Sequence, residues 1–175
     1  MDLSDIYNTV KDFLLGGKVS TETPNYEPGV EAITLKDTTP WRNKTGSYRT
    51  DLLRTMLGES KHQGLSRAQA EGVLGRSMTE SGLGEADRIN PLQVNEKVYG
   101  KDNVWGNIQK GVELMREAYG KYPENHFKAS QSFHRPNKTK WTPFTKEQAL
   151  KSVAYKRMLK QNPQVKAFID EVYGE

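Results

Sequence analysis

Apolar residues recur at helical spacing along most of this chain, and glycine, proline and capping residues mark the breaks between runs. Leu3, Ile6, Tyr7, Val10, Phe13 and Leu14 repeat at intervals of three and four until Gly16-Gly17, which predicts a short amphipathic helix at the N-terminus. From 16 to 47 the periodicity lapses. Pro24, Pro28, Gly29, Pro40 and Gly46 stand among polar residues there, the pattern of an extended arm that wraps a partner or a neighbouring domain. Leu52, Leu53, Met56 and Leu57 open the next apolar stripe, which Gly58 is expected to close. Ser66-Arg67-Ala68-Gln69 then has the form of a capping box, with Leu65 and Ala70 at staple positions. Ala70, Val73, Leu74, Ser77 and Met78 extend that helix inward-facing, and Gly82 is its expected stop.

A further helix is predicted from Asn107, with Ile108, Val112, Met115 and Tyr119 on one face. Another is predicted from Thr145, where Thr145 to Gln148 form a second capping box and Phe144 with Ala149 a second staple. Its inward face would be Leu150, Val153, Ala154, Arg157 and Met158. Asn162-Pro163 opens a last helix carrying Val165, Phe168, Ile169 and Val172. Strand signals are weak throughout. The predicted fold is mainly α, with an N-terminal helix and extended arm over residues 1–47 and a helical domain over 48–175.

Composition narrows the chemistry. The 175 residues contain no cysteine, which excludes disulfides, thiolate zinc sites and a cysteine nucleophile. His62, His126 and His134 lack metal-ligand spacing, and Gly72, Gly75, Gly82 and Gly84 fit no nucleotide fingerprint, so no metal and no cofactor are expected. No apolar run approaches the ~18 residues of a membrane span. Asp2 and Asp5 stand where a secretion signal would be basic, so no signal peptide is expected. The net charge of +4 is itself a balance. Between Lys128 and Lys160 nine cations face Glu147 alone, a block of +8 that leaves −4 for the remainder. Phe133, Trp141 and Phe144 are interleaved with those cations. Such a block suits nucleic acid or another anionic polymer; the residues around Glu80 favour the second.

Helical spacing puts Glu80 beside Val73 and Ser77, at the edge of the buried stripe and in a last turn. Desolvation and the negative end of the helix dipole both favour a protonated carboxyl there, as a general acid requires. Arg76, four residues earlier, opposes this if it forms an ion pair; desolvation prevails only if Arg76 points to solvent.

Met78-Thr79-Glu80-Ser81-Gly82 is followed by Asn90-Pro91-Leu92-Gln93-Val94-Asn95, then by Asn107-Ile108-Gln109-Lys110-Gly111. In this order the segments resemble the lytic transglycosylases and goose-type lysozymes of the lysozyme-like superfamily. Those families carry a Glu-Ser pair at a helix end, a Gly-Leu-Met-Gln-type segment, and a helix opening Asn-Ile-x-x-Gly. The resemblance covers roughly residues 66–120 well and 121–173 loosely, and leaves 1–47 outside. It implies a lysozyme-like helical domain with a small irregular, β-poor second lobe. It also implies that Glu80 is the catalytic acid/base, Ser81 its neighbour, and Gln93 a lining residue of the saccharide groove. Asn107, Ile108 and Gly111 would support the site by packing. Asn90-Pro91-Leu92 departs from Gly-Leu-Met, and Ser132-Phe133-His134 is a loose counterpart of the family's Ala-Tyr-Asn strip, which nominates Phe133 as a substrate contact. The tyrosine that orients the family's glutamate has Tyr155, Tyr119 and Tyr122 as candidates, with Tyr155 preferred.

What the resemblance implies is cleavage of the bond between N-acetylmuramic acid and N-acetylglucosamine in peptidoglycan. One carboxyl suffices for a transglycosylase: Glu80 protonates the glycosidic oxygen and then accepts the C6 hydroxyl proton as a 1,6-anhydro ring closes. A hydrolase needs a second carboxylate ~5–9.5 Å away, for which Glu85 and Asp87 are available. A wall-cleaving chain without a secretion signal and with a long arm resembles phage lytic proteins. They are carried in the virion or made in the host cytoplasm and act at the cell wall, and the arm would contact other virion proteins. A non-enzymatic virion protein on the same fold is the rival expectation.

Overall fold

A computed structural model describes residues 50–174 apart from 85, 88, 101 and 135–141. The amphipathic helix and arm expected over 1–47 lie outside the described residues, as do Glu85, Arg135, Lys138, Lys140 and Trp141. Among the described residues the fold is helical and has no strand. The helices are α1 (Thr50–His62), α2 (Arg67–Ser81), α3 (Glu96–Tyr99), α4 (Val104–Lys121), α5 (His126–His134), α6 (Pro143–Gln161) and α7 (Pro163–Tyr173).

The middle of this arrangement is α2. Every residue from Ala70 to Met78 is buried, so the helix has no solvent face along that stretch, where the periodicity had suggested a single inward stripe. It packs most extensively on α6 and also touches α1, α4, α5 and α7. Small residues make this possible. A Cβ on Gly75 would lie 2.5 Å from the Ser152 carbonyl oxygen, so α2 and α6 approach backbone to backbone there. Around α2, Leu53, Met56, Leu57, Val73, Leu74, Ile108, Val112, Met115, Leu159 and Ile169 form one apolar core.

The ends of α2 follow from local chemistry. Ser66 Oγ accepts from the Gln69 amide and the Gln69 side chain accepts from the Ser66 amide, closing the expected capping box. Gly82 ends the helix in the left-handed region at φ 62°, with its N–H on Met78 O. Asn162 caps α7, with Pro163 in the first turn.

Three helix limits differ from expectation. Gly58 does not close α1, which runs another turn to His62, because Glu59 and Ser60 continue its buried side. α4 starts at Val104 under an Asn103 cap whose side chain accepts from Gly106, so Asn107 is an interior, buried residue. α6 starts at Pro143 under a Thr142 cap. Thr145 is therefore inside the helix, and Phe144, 60% exposed, lies after the cap rather than at the staple position before it. The periodicity did not announce α5: Ser130, Gln131 and Ser132 are buried beside Phe127 and Ala129, so polar residues occupy its inner face.

Candidate active site

Glu80 stands on the last turn of α2, where that helix leaves the core. Its side chain is only 12% exposed, and it is ion-paired with Arg76 one turn earlier, whose side chain is 0% exposed. The condition that would have left Glu80 governed by desolvation is thus not met: the guanidinium points inward. Arg76 Nη1 donates to Ser130 Oγ at 3.0 Å, and the guanidinium lies 5.4 Å from the Phe133 ring centroid. Burial pushes Arg76 down from 12.5 to about 9, which still leaves it cationic at neutral pH. A buried cation in contact with Glu80 favours the carboxylate form. Through Arg76, α2 and α5 share one charged joint, and Phe133 comes to the same guanidinium as Glu80.

Ser81 behaves as a strut behind the glutamate. It is buried, and its hydroxyl donates to Pro91 O at 2.6 Å and accepts from the Gly84 amide at 2.8 Å. Its oxygen is committed to fastening the loop. Ser77 Oγ also donates to Pro91 O at 2.9 Å, so two α2 serines hold one carbonyl of the Asn90–Val94 turn. The chain between turns sharply: Gly82, Leu83 and Gly84 all have φ between 56° and 83°. Leu83 accepts that left-handed conformation, costly for a branched side chain, while its side chain is fully buried.

The far side of the turn is held by α4. Asn107 Nδ2 donates to Ile89 O at 3.1 Å and to Asp102 O at 3.2 Å. A Cβ on Gly111 would sit 2.5 Å from Leu92 Cδ1, so a glycine there is what lets Leu92 seat against α4. Within the turn, Asn90 Nδ2 donates to Val94 O and Asn90 Oδ1 accepts the Val94 amide. Asn107 and Gly111 thus hold the turn from α4, and Ile108 is buried in the core.

Gln93 is exposed and, like Leu83, has positive φ (51°). Its Nε2 donates to Asp87 Oδ2 at 3.0 Å and Asn90 O at 2.9 Å. Asp87 Oδ1 accepts from the amides of Ile89 and Asn90. Asp87, one of two carboxylates available to a hydrolase, therefore serves the loop itself. Tyr155 is buried in the main core on α6. Tyr119 is hydrogen-bonded to His126 Nδ1 at 2.5 Å, and Tyr122 is half-buried just after α4. Glu80, Ser81, Phe133 and the turn bearing Gln93 are thus linked by named contacts.

Two contributors were not singled out from sequence. Ser130 is one serine in a polar run; only the folded packing of α5 on α2 gives it Arg76 as a partner. In sequence Asn90 is only a departure from a family pattern, and its two-way bridge to Val94 becomes visible in the turn. Among the described residues no group of three His, Asp or Glu side chains is placed to hold a metal ion, and no helix is long and apolar enough to cross a membrane.

No family model, curated protein or solved structure matches this chain.

Proposed function

We propose that the chain cleaves the N-acetylmuramic acid–N-acetylglucosamine bond of peptidoglycan, as a lysozyme-like lytic transglycosylase with Glu80 as its acid and base. The observation that carries this reading is the construction around Glu80. It is a nearly buried carboxylate at the end of a core helix, beside a turn pinned by Ser77, Ser81, Asn107 and Gly111. That much fixed backbone around one acid is what a single-carboxylate mechanism needs, since one group must meet both the leaving oxygen and the C6 hydroxyl. Asp87 is occupied by the loop's own amides and by Gln93, which favours the transglycosylase over a hydrolase. In this reading Glu80 takes up a proton against the pull of Arg76 before the first transfer; the carboxylate favoured by Arg76 is the form needed for the second. The cationic block between Lys128 and Lys160 supports action on an anionic wall, as in a phage particle or lysis system.

The Arg76–Glu80 pair also supports a second reading, a virion structural module in which Glu80 only completes a buried ion pair. Digestion of purified peptidoglycan separates the two. Wild type should release soluble fragments ending in 1,6-anhydro rings, and Glu80→Gln should release none. Fragments with reducing ends would replace the transglycosylase by a hydrolase, and inactivity of wild type on walls of several chemotypes would leave the structural module.

A further inference from the structure

A cleft of about 480 Å³ opens on α1 and the first turns of α4, lined by Arg54, Glu59, His62, Trp105 and Gln109 together with Gly58. None of these residues takes part in the Glu80 network. Glu59 is 4% exposed yet contributes to the wall. Its Oε1 accepts from Gln63 Nε2 at 2.7 Å, and the same nitrogen donates to Gln109 O at 3.0 Å, which ties the α1 and α4 walls together. A buried carboxylate is costly to keep unless polar partners surround it. Opposite in character is Trp105, 50% exposed, a large apolar ring left in water at the same cleft.

Gly58 supplies an independent observation. It lies in the interior of α1, where glycine costs ~1 kcal/mol relative to alanine. A Cβ there would meet nothing within 4 Å, so no packing contact demands the missing side chain. Its backbone instead forms part of the cleft wall.

We infer that this cleft is a second glycan-binding site, which takes a neutral pyranose with its C–H face on Trp105 and its hydroxyls on Glu59, His62 and Gln109. The volume suits one or two sugar rings. Glu59 disfavours an anionic ligand, Arg54 is already paired with Glu171 at 3.2 Å, and hydroxyls satisfy a carboxylate, an imidazole and an amide alike. Trp105 provides the flat apolar area that orients a ring without demanding charge. Such a site would hold the enzyme on a wall strand away from the bond being cut. The inference rests on the proposed function only in the choice of N-acetylglucosamine oligomers as the ligand.

Titration of the ¹⁵N-labelled full chain with tri-N-acetylchitotriose tests it, read at the Trp105 indole N–H, which Trp105→Phe assigns among the three tryptophans. Saturable displacement of that resonance is expected. Gly58→Met, which should keep or raise the melting temperature while filling the cleft, should abolish the displacement. An indole unmoved by millimolar trisaccharide overturns the site, and so does displacement that persists unchanged in Gly58→Met. The outcome is separable from Glu80: a Trp105 response in a chain that cuts no peptidoglycan keeps this site and removes the catalytic reading, whereas cleavage without a Trp105 response does the reverse.

Discussion

Arg76 and Glu80 illustrate how one residue four positions away decides a carboxylate's chemistry. Removing one charge of a buried pair leaves the other uncompensated, which typically costs about 3–5 kcal/mol. Glu80 retains a little exposure, so Glu80→Gln should cost nearer the lower figure, about 3 kcal/mol in urea unfolding, in addition to abolishing cleavage. An Arg76→Met, Glu80→Gln double variant should recover most of that stability and still be inactive. Equal stability loss in the double variant would show that the pair is not the source. Arg76→Met alone removes the cation that favours the carboxylate, so the acid form should persist to higher pH. If Glu80 is the proton donor, the alkaline limb of the activity profile should move upward in that variant; an unmoved limb would assign the donor elsewhere. From sequence, Arg76 was legible only as an alternative, because i,i+4 spacing allows a pair but does not say whether the guanidinium faces core or water. Three-dimensional packing on Ser130 and Phe133 settles it.

At the scale of elements, the legible features were those encoded within a few residues. The Ser66 box, the Gly82 stop and Asn162-Pro163 each satisfy helix-end amides or carbonyls locally, and each is where the sequence placed it. The starts of α4 and α6 were misplaced because Asn103 and Thr142 are also good caps, one turn earlier, and longer helices bury more. α5 escaped because its inner face is polar and takes its partners from other helices, as Ser130 does from Arg76. The turn after α2 is similar: Asn90, Ser81 and Asn107 look like ordinary loop and helix residues until the turn brings them into contact. Gly111→Ala should force Leu92 out of its seat and cost about 1–3 kcal/mol, with a larger relative loss of cleavage than of melting temperature. Ser81→Ala should act the same way by leaving the Gly84 amide without this acceptor and Pro91 O with Ser77 alone. Full activity in a folded Ser81→Ala would show that this strut is dispensable for positioning.

Across the whole molecule, the helices α2, α4, α5 and α6 meet over a second buried polar chain, and it sets how stability responds to pH. His126 bridges Tyr119 OH at 2.5 Å and Ser152 Oγ at 2.9 Å, with Lys156 and Arg76 near enough to matter electrostatically. Burial first, then those two cations, hold its imidazole well below the usual 6.5, so it is neutral in the fold. Burial and the charge of Glu71 likewise push the Tyr119 phenol up, keeping it protonated. The unfolded chain therefore binds a proton at His126 that the folded chain refuses, and this contribution to stability is complete above about pH 6.5 and shrinks as pH falls. Asp170 works in a different window. Its hydrogen bonds to Lys166 and Arg67 hold it below the usual carboxylate value of 3.8, so its contribution is kept above that value and lost as pH falls further. The interval from pH 7 to 5 thus separates the histidine from Asp170, and over it His126 should cost wild type about 1–2 kcal/mol of unfolding free energy. His126→Gln, less stable at pH 7 for want of a full bridge, should show a much flatter slope across that interval in urea titrations. An equally steep slope in the variant would place the proton uptake on another group and remove His126 from the account.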